Sequence, residues 1–98
     1  MTGKTYVFDL DGTLCSEEKT FEKYLAKPNP DMIALVNKLY EQNKIIIYTA
    51  RGWAEYNITQ RWLEDNDVKY HILMCGKPIY DMWIDDKCCS PEEILKES

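Results

Sequence analysis

The chain has 98 residues, of which 45% are hydrophobic and 30% charged, with a formal net charge of −5. That suffices for a single domain spanning residues 1–98 with its own core, and leaves too little for a second domain or a large lid. The acidic balance excludes nucleic-acid phosphates and anionic membranes as favoured partners.

No apolar run approaches the roughly 20 residues of a bilayer span, and the N-terminus has no signal-peptide character, so a cytoplasmic protein is expected. The four cysteines (Cys15, Cys75, Cys88, Cys89) show no C-x-x-C spacing, and His71 is the lone histidine. They read as reduced thiols acting as small hydrophobes, not as a zinc site.

Residues 5–10 (TYVFDL) form a β-branched and aromatic run that predicts a buried strand. Residues 12–30 carry Gly12, Ser16, Pro28 and Pro30 and read mostly as loop. Asn29, Pro30 and Asp31 supply an N-cap, a proline at the first helical position and an acid in the first turn. Met32, Leu35, Val36, Leu39 and Tyr40 follow at helical spacing until Asn43 stops the helix.

Residues 44–49 (KIIIYT) are a continuous apolar run, the mark of a strand covered on both faces. Residues 53–65 predict a second helix with Ile58, Trp62 and Leu63 inward, and residues 70–74 (YHILM) a third strand. Residues 80–84 (YDMWI) predict a fourth strand that ends in Asp85 and Asp86. Ser90-Pro91-Glu92-Glu93 opens a last short helix. Trp53, Trp62 and Trp83 read as core residues, and His71 as a strand residue facing solvent or a neighbour. This order is α/β: a Rossmann-like three-layer sandwich around a short, mainly parallel sheet.

In an open parallel sheet, function gathers at the carboxyl ends of the strands. That rim is expected to hold Asp9, Asp11, Thr49, Lys77, Asp85 and Asp86. Carboxylates converging without a basic partner repel one another, and a divalent cation resolves the conflict. Mg²⁺ prefers hard oxygen ligands and takes one or two carboxylates plus waters and a substrate phosphate, which suits Asp9 and Asp85. An ionised Asp9 can attack phosphorus and form an aspartyl-phosphate. Asp11, turned by Gly12, can protonate the leaving alcohol and later deprotonate water. Thr49 offers a hydroxyl and a free backbone N–H, with Ala50 beside it, and Lys77 a positive charge for the transferring phosphoryl group.

These residues resemble the haloacid dehalogenase superfamily of phosphohydrolases. Its first motif, D-x-D-G-T, is matched in full by residues 9–13 (DLDGT); its second, an apolar strand ending in Thr, by residues 45–49 (IIIYT). Its fourth, paired acids after an apolar strand, is matched by Asp85 and Asp86. The resemblance spans residues 5–86. It implies a nucleophilic Asp9, a general acid/base Asp11, and Mg²⁺ held by Asp9, the backbone carbonyl of Asp11 and Asp85.

The family's third motif, a Lys or Arg, normally precedes the paired acids by a helix. Lys77 stands only eight residues before Asp85, so that helix is missing or cut to a turn, and Lys87 and Arg51 are rivals for the role. Thr49 to Gly52 (TARG), Gly76 to Pro78 (GKP) and Asp85 to Lys87 (DDK) look most like the small capless members grouped with capsule-polysaccharide biosynthesis phosphatases.

No cap domain fits between residues 13 and 44 or between 52 and 75; residues 15–28 are the one candidate for a small flap. The expected substrate is therefore a larger phosphorylated molecule, or a small phosphorylated metabolite enclosed by a neighbouring subunit of a homo-oligomer. Arg51 on its own reads as a surface ion pair before a substrate clamp. Two other classes compete with a Mg²⁺-dependent phosphomonoesterase. One is a receiver-like phosphoacceptor domain, which should carry its acceptor on the third strand. The other is a catalytically silent phosphate-binding module, which would have no use for Asp11.

Overall fold

In a computed structural model, which describes residues 3–18 and 24–97, β1 (Thr5–Phe8), β2 (Lys44–Tyr48) and β3 (Ile72–Met74) form a parallel sheet in that spatial order. Phe8 pairs with Ile47 and Tyr48 with Met74, so all three strands end at one rim. The connections are α1 (Pro30–Tyr40) and α2 (Tyr56–Asp65), the latter entered through a 3₁₀ turn at Trp53–Glu55. A final helix, α3 (Pro91–Glu97), packs against α1. The fold class is the α/β, Rossmann-like arrangement that the sequence predicts.

The local signals act as expected. Asn29 Oδ1 accepts the Met32 N–H at 3.3 Å, Pro30 stands at the first position, and Met32 and Val36 are fully buried. The helix stops at Tyr40, where Asn43 Nδ2 donates to the Leu39 carbonyl at 3.0 Å beside the Gln42 N–H. Ser90 and Glu93 satisfy one another's N–H groups at the start of α3. The core joins Phe8, Leu10 and Leu14 to Met32, Val36, Ile45, Ile47, Trp62, Leu63 and Leu73, each large side chain contributing about 1.5–3 kcal/mol. Trp62 Nε1 donates to the Ala26 carbonyl at 2.9 Å, which ties the loop before α1 to α2.

Several expectations are corrected. Residues 80–84 form no strand: the sheet ends at β1, and residues 79–84 are exposed. The reason is reach. Only five residues separate β3 from Tyr80, whereas a parallel crossover needs about a dozen. The apolar run at 44–49 is covered fully on one face alone, with Ile45 and Ile47 buried and Ile46 and Tyr48 half-buried. The inward residues of α2 are Thr59, Trp62 and Leu63, and Ile58 faces out. Of the three tryptophans only Trp62 is core; Trp53 and Trp83 are exposed. His71 faces solvent and a neighbour as expected, stacking on Tyr40 with ring centroids 4.3 Å apart, but it stands just before β3 and not in a strand. The candidate flap at 15–28 is described only in part, because residues 19–23 lie outside the described residues. Among the described residues no helix is long and apolar enough to cross a membrane.

Candidate active site

β1 delivers Asp9 to the rim, and the chain then turns sharply. Leu14 N–H donates to the Leu10 carbonyl at 2.8 Å, and Gly12 N–H to the Cys15 carbonyl at 2.8 Å. Gly12 sits at φ +87°, a conformation that side chains with a Cβ rarely adopt. This turn buries Leu10 and Leu14 on the core side and leaves Asp9 and Asp11 facing the rim.

A second strand end supplies the cations. Gly76 N–H donates to the Arg51 carbonyl and Lys77 N–H to the Thr49 carbonyl, at 2.8 and 2.9 Å, pinning the segment after β3 to the end of β2. Lys77 Nζ thereby lies 3.5 Å from Asp9 Oδ1. It also sits 5.4 Å from the ring centroids of both Tyr80 and Trp83, a partly desolvated setting that favours cation–π contact. Burial pushes the Asp9 carboxyl above its ordinary value, and the Lys77 charge opposes that rise without cancelling it.

Asp11 is held differently. Arg51 Nε donates to its Oδ2 at 3.0 Å and Arg51 Nη2 to its Oδ1 at 2.8 Å, a bidentate fork. Arg51 Nη1 donates to Thr59 Oγ1 at 3.1 Å, so α2 anchors the guanidinium from behind. Arg51 is 3% exposed, not the surface residue the sequence suggests. Burial works against its charge, but the hydrogen bond and charge of Asp11 outweigh it and raise its pKa.

The structure brings Asp9, Asp11, Ala50 and Lys77 around one cavity of about 410 Å³. Thr49 is at the rim but fully buried; its N–H, expected to be free, donates to the Met74 carbonyl, and its Oγ1 accepts from Arg51 N–H. Asp85 and Asp86 do not join. Both are exposed, and Asp85 Oδ1 accepts the Lys87 N–H at 3.0 Å. Lys87 pairs with Asp86 at 3.3 Å in solvent, so of the rival lysines it is Lys77 that faces Asp9. Glu17 and Glu55 line the cavity unforeseen. Thr59 could have been found, since it shares one helical face with Trp62 and Leu63 at spacings of three and four.

Among the described residues no group of three or more acid, histidine or cysteine side chains is placed to hold a metal ion. The Asp9 carboxylate and the Asp11 carbonyl are hard oxygen donors of the kind Mg²⁺ takes, and among the described residues they form only part of a set.

No family model and no curated protein matches the chain. Solved structures similar to this chain include the following. A crystal structure of a Vibrio cholerae target shares 27% identity and a TM-score of 0.81, over 94% of this chain and 87% of that one. Two structures of the Pnkp1/Rnl/Hen1 RNA repair complex follow, at 18% identity with TM-score 0.68 and at 20% with TM-score 0.67. They match 99% and 98% of this chain, which spans only 33% and 30% of theirs. Those two likenesses show a shared fold.

Proposed function

We propose that the chain is a phosphomonoester hydrolase of the haloacid dehalogenase type, of the small capless kind, working through an aspartyl-phosphate on Asp9. The observation that carries this reading is the pairing of Asp9 with Lys77 at 3.5 Å, two residues from an Asp11 gripped by a buried arginine. A purely structural cluster would have no use for one carboxylate left at an open cavity beside a lysine while its neighbour is fixed in place.

In the first step an Asp9 carboxylate oxygen attacks phosphorus, and the bond from phosphorus to the leaving oxygen breaks. Asp11, one oxygen released from the Arg51 fork that engages both of them here and protonated from solvent, gives that proton to the leaving oxygen, releasing the alcohol. In the second step water attacks the acyl phosphate, Asp11 takes a proton from the water, and inorganic phosphate leaves with Asp9 regenerated. Lys77 is placed to exchange its contact with Asp9 for the phosphoryl oxygens. Arg51 holds the Asp11 carboxylate at the cavity wall before the substrate enters. Asp9 and the Asp11 carbonyl would hold Mg²⁺, which when bound offsets the combined charge of carboxylate and phosphate dianion.

The substrate is a phosphorylated metabolite or a larger phosphorylated molecule. The net charge of −5 disfavours a long polyanion; a phosphorylated RNA end belongs in the test because two fold neighbours come from an RNA repair complex. The test is phosphate release from a panel of sugar, polyol, nucleotide and RNA-end phosphates, with Mg²⁺ and with EDTA. Release that needs Mg²⁺ and vanishes in Asp9→Asn supports the reading; release that survives both overturns it.

A further inference from the structure

The outer edge of β1 faces a groove of about 680 Å³. One wall is β1 itself, residues 5–9, and the other is the chain from Tyr80 to Ser90, with Met32 and Ile94 among the lining residues. Two things are left open here. Among the described residues β1 pairs only with β2, so its other edge keeps its N–H and C=O groups available for a further strand. Beside it runs a largely exposed apolar strip: Ile79 is 94% exposed, Met82 74% and Ile84 88%.

The strip cannot close onto β1 of its own chain in parallel. Lys77 is hydrogen-bonded at the rim. A parallel strand that ends with Asp85 beside Asp9 places Tyr80 opposite Lys4, about five residues or ~16 Å below the rim. Three peptide steps from Lys77 to Tyr80 reach at most ~11 Å. Within one chain the strip can only run away from the rim, and it then carries Asp85 away from Asp9.

A second copy has no such constraint. We infer that the groove beside β1 receives residues 79–86 of a second copy of this chain, in a reciprocal exchange that places the partner's Asp85 at Asp9. In a two-fold dimer of this kind each strip leaves its own rim, descends along the far wall of its own groove, and rises along the partner subunit's β1. The two strips lie antiparallel in the middle, and one sheet runs through both subunits with no exposed edge at its centre. The contact is isologous, each copy giving what it receives.

Charge is compatible with this occupant: the groove lining balances Lys77 and Lys87 against Asp9 and Asp85, and the incoming strip brings its acids, Asp81, Asp85 and Asp86, to that lysine-bearing wall. Area supports it. Val7, Ile79, Tyr80, Met82, Trp83 and Ile84 are exposed in each copy. At roughly 100 Å² apiece in both copies they supply about 1,200 Å², the lower bound of a stable interface. The exchange would also complete the partial set of oxygen donors at Asp9 from across the interface. Only that last role rests on the phosphatase reading.

Mass measurement by light scattering on the full chain tests the exchange without reference to activity. The expected result is twice the 11.6 kDa of one chain. Ile84→Lys should shift it to a monomer with an unchanged far-ultraviolet spectrum, since Ile84 is largely exposed in its own chain. A monomer in the wild type at tens of micromolar, or a dimer indifferent to Ile84→Lys, overturns the proposal.

A second arm uses activity. Asp9→Asn and Asp85→Asn, each inactive alone, are unfolded together and refolded as an equal mixture. Half of the resulting dimers are mixed, and each has one site with both acids intact, so about a quarter of wild-type activity should return. A dimer that shows no such complementation means the strip is not exchanged. An enzyme without wild-type activity on any phosphate defeats the phosphatase reading alone and leaves the mass result to decide this one.

Discussion

Arg51 and Asp11 form a two-pronged ion pair, at 3.0 and 2.8 Å, with the arginine side chain 1% exposed and the aspartate 12%. A buried pair of this kind contributes less by existing than it costs to break, because either partner left alone is an uncompensated buried charge. Arg51→Ala should therefore destabilise the fold by about 3–5 kcal/mol, read as a lower urea midpoint at unchanged slope. Thr59→Val, which keeps the shape and removes the oxygen behind the guanidinium, should cost about 1–3 kcal/mol, and Thr59→Ser should restore most of it.

Asp9 gives a stability effect of opposite sign. Its carboxyl is raised by burial above the ordinary aspartate value of 3.8, so the ionised form is the disfavoured one in the folded chain. The folded protein thus holds that proton more tightly than the unfolded chain does. Its contribution to stability is fully present below pH 3.8 and is lost as pH rises through the elevated folded value. In EDTA, Asp9→Asn should raise the melting temperature at neutral pH, and the gain should fade as the pH is lowered through that window. A gain that is constant with pH would show that the carboxylate is not strained by burial.

Lys77 and Lys87 separate cleanly by position. Lys77 Nζ is 3.5 Å from Asp9, with its side chain 13% exposed, whereas the Lys87 side chain is 85% exposed and pairs with Asp86 in solvent. Lys77→Ala should lower kcat by a factor on the order of 10²–10³, as expected for losing a group that meets developing phosphoryl charge. Lys87→Ala should change it less than a few-fold on a small substrate. Steady-state kinetics on one aryl and one alkyl phosphate would show which lysine matters.

What was legible in the sequence was local. Asp9 and Asp11 at a strand end, Gly12 at the turn and the cap at Asn29 all follow from residues a few positions apart, and all stand where expected. What was not legible depends on partners far along the chain. Whether residues 80–84 pair as a strand is decided by the length of the connection from β3, and the apolar pattern of the segment carries no trace of that. Thr49 looked available because nothing nearby in sequence covers it; Met74 takes its N–H. Arg51 looked like a surface residue because its two partners, Asp11 and Thr59, stand 40 and 8 positions away.

The most direct test of the central claim is to trap the covalent intermediate. Wild-type protein mixed with an aryl phosphate and Mg²⁺ is quenched in acid within the first turnovers, digested and analysed by mass spectrometry. A phosphoryl group on the peptide containing Asp9, absent from Asp9→Asn and accumulating further in Asp11→Asn if water attack is slowed, is the predicted result. Rapid phosphate release with no phosphoryl group on that peptide, or with the group on another residue, would contradict it.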